Sequence, residues 1–306
     1  MMKKKFTALA ALGVASALAL TGCAGDASGG TGAPGADGPS SGGGKGTITL
    51  GFLPSWTDGL STAYLLENKL EEMGYNVEMK TLTEAGPLYA GLAKGDVDIY
   101  PSAWPELTHK SYMDKYGDKI EDLGAYYDNA KLTIAVPEYS ELTSIEDLKG
   151  KAAQFDGKII GIEPGAGLTE QTKKMLPEYG LDSEYELVTS STAAMLTELK
   201  KATEAQKDIV VTLWRPFWAN DAFPVKDLED PKGAMGEPEG LHFLATEGFT
   251  EKYPEAAEFI EKIKLDDEQY GALEGLVTSD EYKDKSAEAV KKWISEYSDK
   301  IDWLKK

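Results

Sequence analysis

The sequence has one cysteine and two histidines in 306 residues. A single cysteine excludes an internal disulfide framework and any thiolate metal cluster. Two histidines without His-Glu-x-x-His, and no Gly-x-Ser-x-Gly, leave no hydrolase or metalloenzyme constellation. The chain is therefore not expected to be an enzyme, and neither a metal nor another cofactor is expected. Basic residues are also scarce, 32 Lys and Arg against 52 Asp and Glu, for a net charge of −20. Such a surface repels nucleic acid and does not lie flat on anionic lipid, though it suits solubility outside a cell and tolerates a cationic ligand. A membrane span is missing too. The apolar run from Phe6 to Leu20 is too short to cross a bilayer.

That run has another use. Lys3, Lys4 and Lys5 precede it and Leu20-Thr21-Gly22-Cys23 follows, the order of a secretory signal peptide over residues 1–22. The last four residues resemble the bacterial lipobox, whose cysteine is diacylated and becomes the first residue of the mature protein. Cys23 is thus the expected lipidation site, and two acyl chains would anchor the protein at the outer face of the bacterial cytoplasmic membrane. Loss of the three lysines would leave a mature charge of −23. Beyond Cys23 the chain is almost wholly Gly, Ala, Ser, Pro and Asp, which cannot bury a core, so 23–46 is expected to be a flexible linker.

From Thr47 the patterning is that of an α/β protein. "GTITLGFLPSW" reads as a strand, and the next segment sets Leu66, Leu70 and Met73 on one helical face before Gly74 ends it. Strand "YNVEMKTL", helix "GPLYAGLAKG" and strand "VDIYPSAW" complete a β-α-β-α-β unit, the grammar of a parallel sheet. The grammar restarts at "KIIGIEPGAGLTEQT" and closes with strand "KDIVVTLW". Between the units lies strand-like "KLTIAVPEY", and after the second lies "GLHFLATEGF". Two such units crossed twice by the chain predict two lobes, 47–134 plus 246–306 and 135–245, with a cleft between them that closes on a hinge. The tail predicts one long final helix with Ala287, Val290, Ile294, Tyr297, Ile301 and Leu304 on its buried face, flanked by Trp293 and Trp303.

Three of the six tryptophans fall at strand ends: Trp56, Trp104 and Trp214. Each has a proline close by, Pro54, Pro105 and Pro216, which interrupts strand pairing there. In open parallel sheets ligands bind beyond the carboxyl ends of the strands. A single tryptophan is as readily explained by packing as by a ligand; three at equivalent positions in two units favour a shared site. A quaternary ammonium carries diffuse charge on its methyl groups, which aromatic faces meet. Carbohydrate stacking is the competing use, but it calls for several Asp, Asn or Arg side chains among the rings, and these strand ends offer few. Trp218 reads as packing beside the site. His109, five residues after Trp104, and the glycine-rich turn at Gly161 and Ile162, with a helix dipole behind it, suit an anionic group. Together they describe a zwitterion site; His242 reads as a surface residue.

The motifs "LGFLPSW", "EAGPLYAGLAKGDVDIYPSAWPELTHKSY", "KIIGIEPGAGLT" and "VVTLWRPFW" together resemble the substrate-binding lipoproteins of ABC-type glycine betaine/proline betaine importers, from about Thr47 to the C-terminus. The resemblance implies a two-lobed, type II periplasmic-binding-protein-like fold and a cage of Trp56, Trp104 and Trp214 around a trimethylammonium head. It also implies carboxylate capture by His109 and by the backbone amides of Gly161 and Ile162. The implied partners are a small zwitterionic ligand and a membrane permease, for osmoprotection, with the binding protein itself a monomer. Choline and carnitine are the competing ligands. The chain departs from the pattern at Glu163, where a related pattern has Asp, and at Pro105 directly after the second tryptophan.

Overall fold

The computed structural model describes residues 44–305. The expected signal peptide, Cys23 and all but the last three residues of the expected linker lie outside that range. The first unit runs β1 (Thr47–Phe52), α1 (Thr57–Glu72), β2 (Asn76–Thr81), α2 (Ala85–Lys94) and β3 (Ile99–Ala103). β1 pairs in parallel with β2 on one side and β3 on the other. Ile48, Leu50 and Phe52 of β1 are buried, as are Leu66 and Leu70 of α1. Gly74, at φ 95°, ends α1 where a side chain would be strained. There the Tyr75 N–H donates to Leu70 O and the Gly74 N–H to Glu71 O, both at 3.0 Å, the paired bonds that close a helix on a left-handed residue.

After α3 (Lys110–Tyr116) comes β4 (Ile120–Pro137), and then the second unit: β5 (Lys158–Ile160), α4 (Gly167–Glu178), β6 (Glu186–Val188), α5 (Thr192–Glu204) and β7 (Val211–Arg215). β5 pairs in parallel with β6 and β7, so the central-strand arrangement of the first unit recurs. α6 (Ala219–Ala222), β8 (Val225–Asp227) and β9 (Glu239–Thr246) follow. The strand order is β2-β1-β3-β9-β4-β7-β5-β6. Two parallel triplets are thus joined through the antiparallel pair β9 and β4. β4 serves both sides: Ile120–Ala130 pairs with β9, and Lys131–Pro137 with β7 and β8.

β4 is longer than "KLTIAVPEY" suggests, beginning at Ile120. Its first half carries register shifts against β9 and a glycine, Gly124, at φ 97°. Bulges of this kind break the alternation of inward and outward side chains that marks a strand in sequence.

The tail is α7 (Phe249–Lys252), α8 (Pro254–Glu261), α9 (Asp267–Thr278) and α10 (Ser286–Tyr297). The predicted final helix is shorter than its periodicity implies. α10 stops at Tyr297, and Ile301 and Leu304 reach the core from a separate turn. Its buried face is Ala289, Val290, Trp293 and Tyr297, rotated from the predicted stripe so that Trp293 is central. The Trp293 indole N–H donates to Gln269 O at 3.0 Å, which fixes α10 against α9.

Candidate ligand site

Trp56 is the residue from which α1 starts, Trp104 follows β3, and Trp214 lies in β7 opposite Leu132 of β4. These positions come from both parallel triplets, yet the three side chains line one narrow cavity, and each is buried. His109 and Ile162 share that wall, as do Leu132, Asp58 and Thr108. Ala166, Gly167 and Leu168, at the start of α4, complete it.

The rings are braced from behind. Trp56 stacks on the His109 imidazole with centroids 6.1 Å apart and planes 15° from parallel. Trp214 stacks on Phe217 at 3.8 Å and 21°. Asn220 Nδ2 donates to Trp214 O (2.9 Å), holding the turn that follows β7. The "TLWRPFW" segment thus spends its aromatics on one cavity-lining indole, a ring stacked on it, and Trp218, which packs on Phe217 and Phe223 outside the cavity.

His109 is clasped by Trp104. The Trp104 N–H donates to His109 Nδ1 (3.1 Å), and the His109 N–H donates to Trp104 O (2.7 Å). Because Nδ1 accepts, the neutral ring carries its proton on Nε2. Burial lowers the pKa of this histidine to about 3, so it is uncharged at any ordinary pH. Among the described residues Nε2 has no hydrogen-bond partner, which leaves a donor facing the cavity. The loop before it is held by Glu239 of β9, which accepts from the Leu107 and Thr108 amides, each at 3.0 Å.

Gly161 is the one expected site residue that the structure does not bring to the cavity. Its N–H donates to Val188 O at 2.8 Å. A Cβ there would come within 2.9 Å of Leu187, so its smallness serves close packing of β5 on β6. Ile162 does line the cavity, and among the described residues its N–H has no partner. Neither do the Gly167 and Leu168 amides, in the first turn of α4, whose first residues carry no side-chain cap. An uncapped helix start offers backbone donors and a positive partial charge to an anion.

Sequence reasoning missed Asp58, Leu132, Glu239 and the Ala166–Leu168 turn. Only Asp58 left a signal, sitting two residues after Trp56 at the start of a helix. The turn that carries Ile162 is covered from the first unit. Tyr112 OH donates to Gly165 O (2.6 Å), the Gly165 N–H donates to Glu84 Oε2 (3.3 Å), and Ser111 Oγ donates to Glu170 Oε2 (3.3 Å). His242 lies elsewhere, bound by its Nδ1 to Asp122 and by its Nε2 to Glu106, each at 2.9 Å.

The chain has known relatives. A family model described as the substrate binding domain of the ABC-type glycine betaine transport system (OpuAC) matches residues 46–296. The glycine betaine/carnitine transport binding protein GbuC of Listeria monocytogenes is 35% identical over 154 residues, 50% of this chain and 50% of that protein; the match thus spans half the relative's length. Lactococcal OpuAC in its closed-liganded conformation with glycine betaine superposes with a TM-score of 0.77 at 31% identity, covering 85% of this chain and 99% of that one. The glycine betaine/L-proline-binding protein ProX of Borrelia burgdorferi gives 0.76 at 31%, covering 83% and 94%. The fold is accordingly that of the type II periplasmic binding proteins. Among the described residues no helix is long and apolar enough to cross a membrane. With most of the folded chain matched and the tryptophan-lined cavity in place, the protein belongs to the family of substrate-binding proteins of ABC-type glycine betaine transporters.

Proposed function

We propose that this protein captures glycine betaine, and with it proline betaine, outside the cytoplasmic membrane and delivers it to an ABC permease for osmoprotection. The observation that carries this reading is the convergence of Trp56, Trp104 and Trp214 on one buried cavity that also holds the His109 Nε2–H. The indoles meet the trimethylammonium head. His109, the Ile162 amide and the first-turn amides of α4 meet the carboxylate.

A desolvated cation–π contact contributes about 2 kcal/mol, so three give about 6 before the cost of association. Micromolar binding needs about 8 kcal/mol net. Hydrogen bonds to the carboxylate, about 1.5 to 3 kcal/mol each, supply the difference. A ligand without the carboxylate, such as choline, is therefore much weaker.

The lobes are taken as 47–134 plus 246–306 and 135–245, so that Trp56, Trp104 and His109 belong to one and Trp214 and Ile162 to the other. A ligand bridging them favours the closed form, which the permease recognises. The mature protein is a monomer tethered through lipidated Cys23 and the linker to the membrane, and it catalyses no reaction.

Calorimetric titration with glycine betaine, proline betaine, carnitine and choline tests this. The betaines should bind at micromolar or better and choline at least tenfold more weakly. Equal affinity for betaine and choline would remove the carboxylate subsite, and no heat with any of the four would remove the reading altogether.

A further inference from the structure

The two tryptophans of the first unit share a feature that neither packing nor ligand stacking requires. The Trp56 indole N–H donates to Glu163 Oε2 at 3.1 Å, and the Trp104 indole N–H donates to Asp58 Oδ2 at 3.2 Å. Both carboxylates are buried, Asp58 at 3% exposure and Glu163 at 5%. Their remaining partners are all neutral. Asp58 accepts from Ser102 Oγ (2.7 Å) and from the Gly59 amide. Glu163 accepts from the Thr192 amide (3.0 Å), Thr192 Oγ1 (2.8 Å) and Ser55 Oγ (3.4 Å). Among the described residues the only buried lysine or arginine is Lys69, and it pairs with Glu72 at 2.7 Å.

Two buried carboxylates with no cationic partner are costly unless something else supplies the opposite charge. Burial pushes the Asp58 carboxyl above its ordinary range, as expected for a charge awaiting a partner. Each accepts from the indole N–H of a ring that lines the cavity. An anion accepting from the indole N–H polarises the ring and makes its face more negative, and the low dielectric carries the anion's own field to the same place. Trp214 differs, being backed by Phe217 instead.

We infer that Asp58 and Glu163 are counter-charges acting through the Trp104 and Trp56 indoles, and that they make the site select a positively charged trimethyl head over a neutral group of the same shape. The inference rests on the quaternary ammonium reading of the cavity. It adds that specificity resides in two carboxylates at the indole N–H groups, Asp58 on the cavity wall and Glu163 outside it, as well as in the rings. Glu163 also couples the two units. It lies just beyond β5 in the second unit while Trp56 starts α1 in the first, so the bond exists only when the two units are drawn together.

The test compares glycine betaine with its neutral-headed carbon isostere, 3,3-dimethylbutanoate, by calorimetry. The proteins are wild type, Asp58→Asn and Glu163→Gln. Each substitution keeps an acceptor oxygen for the indole N–H and removes only the charge. The ratio of betaine to isostere affinity should fall about tenfold in each variant, with isostere binding unchanged or stronger. A constant ratio, or parallel loss of both ligands, would reduce the carboxylates to positioning groups and overturn the inference while leaving the betaine site intact. A wild-type protein that binds no betaine would overturn both. Should Asp58→Asn fail to fold, Glu163→Gln decides by the same ratio, since its carboxylate lies on a separate element.

Discussion

Gly167, the first residue of α4, lies so close to Thr108 that a Cβ built on it would stand 2.0 Å from the Thr108 carbonyl oxygen. Thr108 belongs to the loop after β3 and Gly167 to the second unit, and both line the tryptophan cavity. The close approach of these two segments is what seals that side of the site. A glycine is required here by the space alone, because the helical backbone at this position would accept alanine without strain.

Gly167→Ala should therefore leave the unliganded protein as stable as wild type while preventing the two segments from meeting. We expect at least a hundredfold loss of glycine betaine affinity and no ligand-induced compaction in small-angle scattering. Wild-type affinity in this variant would mean that the contact is not part of the bound state.

His109 is neutral and donates through Nε2, so its replacement should discriminate between ligands. His109→Ala should weaken glycine betaine by about 10- to 100-fold, the equivalent of one hydrogen bond to a charged group. Choline, which offers no carboxylate, should lose much less, and His109→Gln should recover part of the betaine affinity. Equal losses for the two ligands in calorimetry would show that the histidine only supports Trp104.

Glu274 of α9 sets a pH dependence of stability. It is buried between Thr57 and the turn after β7, accepting from the Thr57 hydroxyl and the Trp218 amide, and burial raises its pKa from 4.5 to about 8. Between those values the native state holds a proton that the unfolded state has released, so stability falls as pH rises through this window, by up to about 1.4 kcal/mol per unit. Denaturant titrations from pH 5 to 8.5 should show the decline in wild type and a flatter profile for Glu274→Gln. Parallel profiles would place the carboxyl's titration outside that range.

Much of this was legible in the residues themselves. The β-α-β-α-β grammar survives in sequence because each strand and helix announces its own period, and Leu66, Leu70 and Gly74 do what their spacing says. Trp56, Trp104, Trp214, His109 and Ile162 could be singled out because each follows a strand pattern where a parallel sheet opens to ligands. The first half of β4 could not, since Gly124 and the bulges around it erase the alternation. The end of α10 could not either: an apolar residue every three or four positions continues past Tyr297, but Ile301 and Leu304 reach the core from a turn.

What the sequence determined alone was local: the periodicity of most elements, the place of three indoles at strand ends, and the surplus of acid over base. What only the tertiary structure decided was which backbone and side-chain groups remain free once the units are packed together. Gly161 looked like an anion donor until β6 took its N–H, and Glu163 stood out only as a departure from the family pattern until its carboxylate met the Trp56 indole. A hydrogen bond between residues about a hundred positions apart depends on how two sheets are brought together, and no local pattern records that distance.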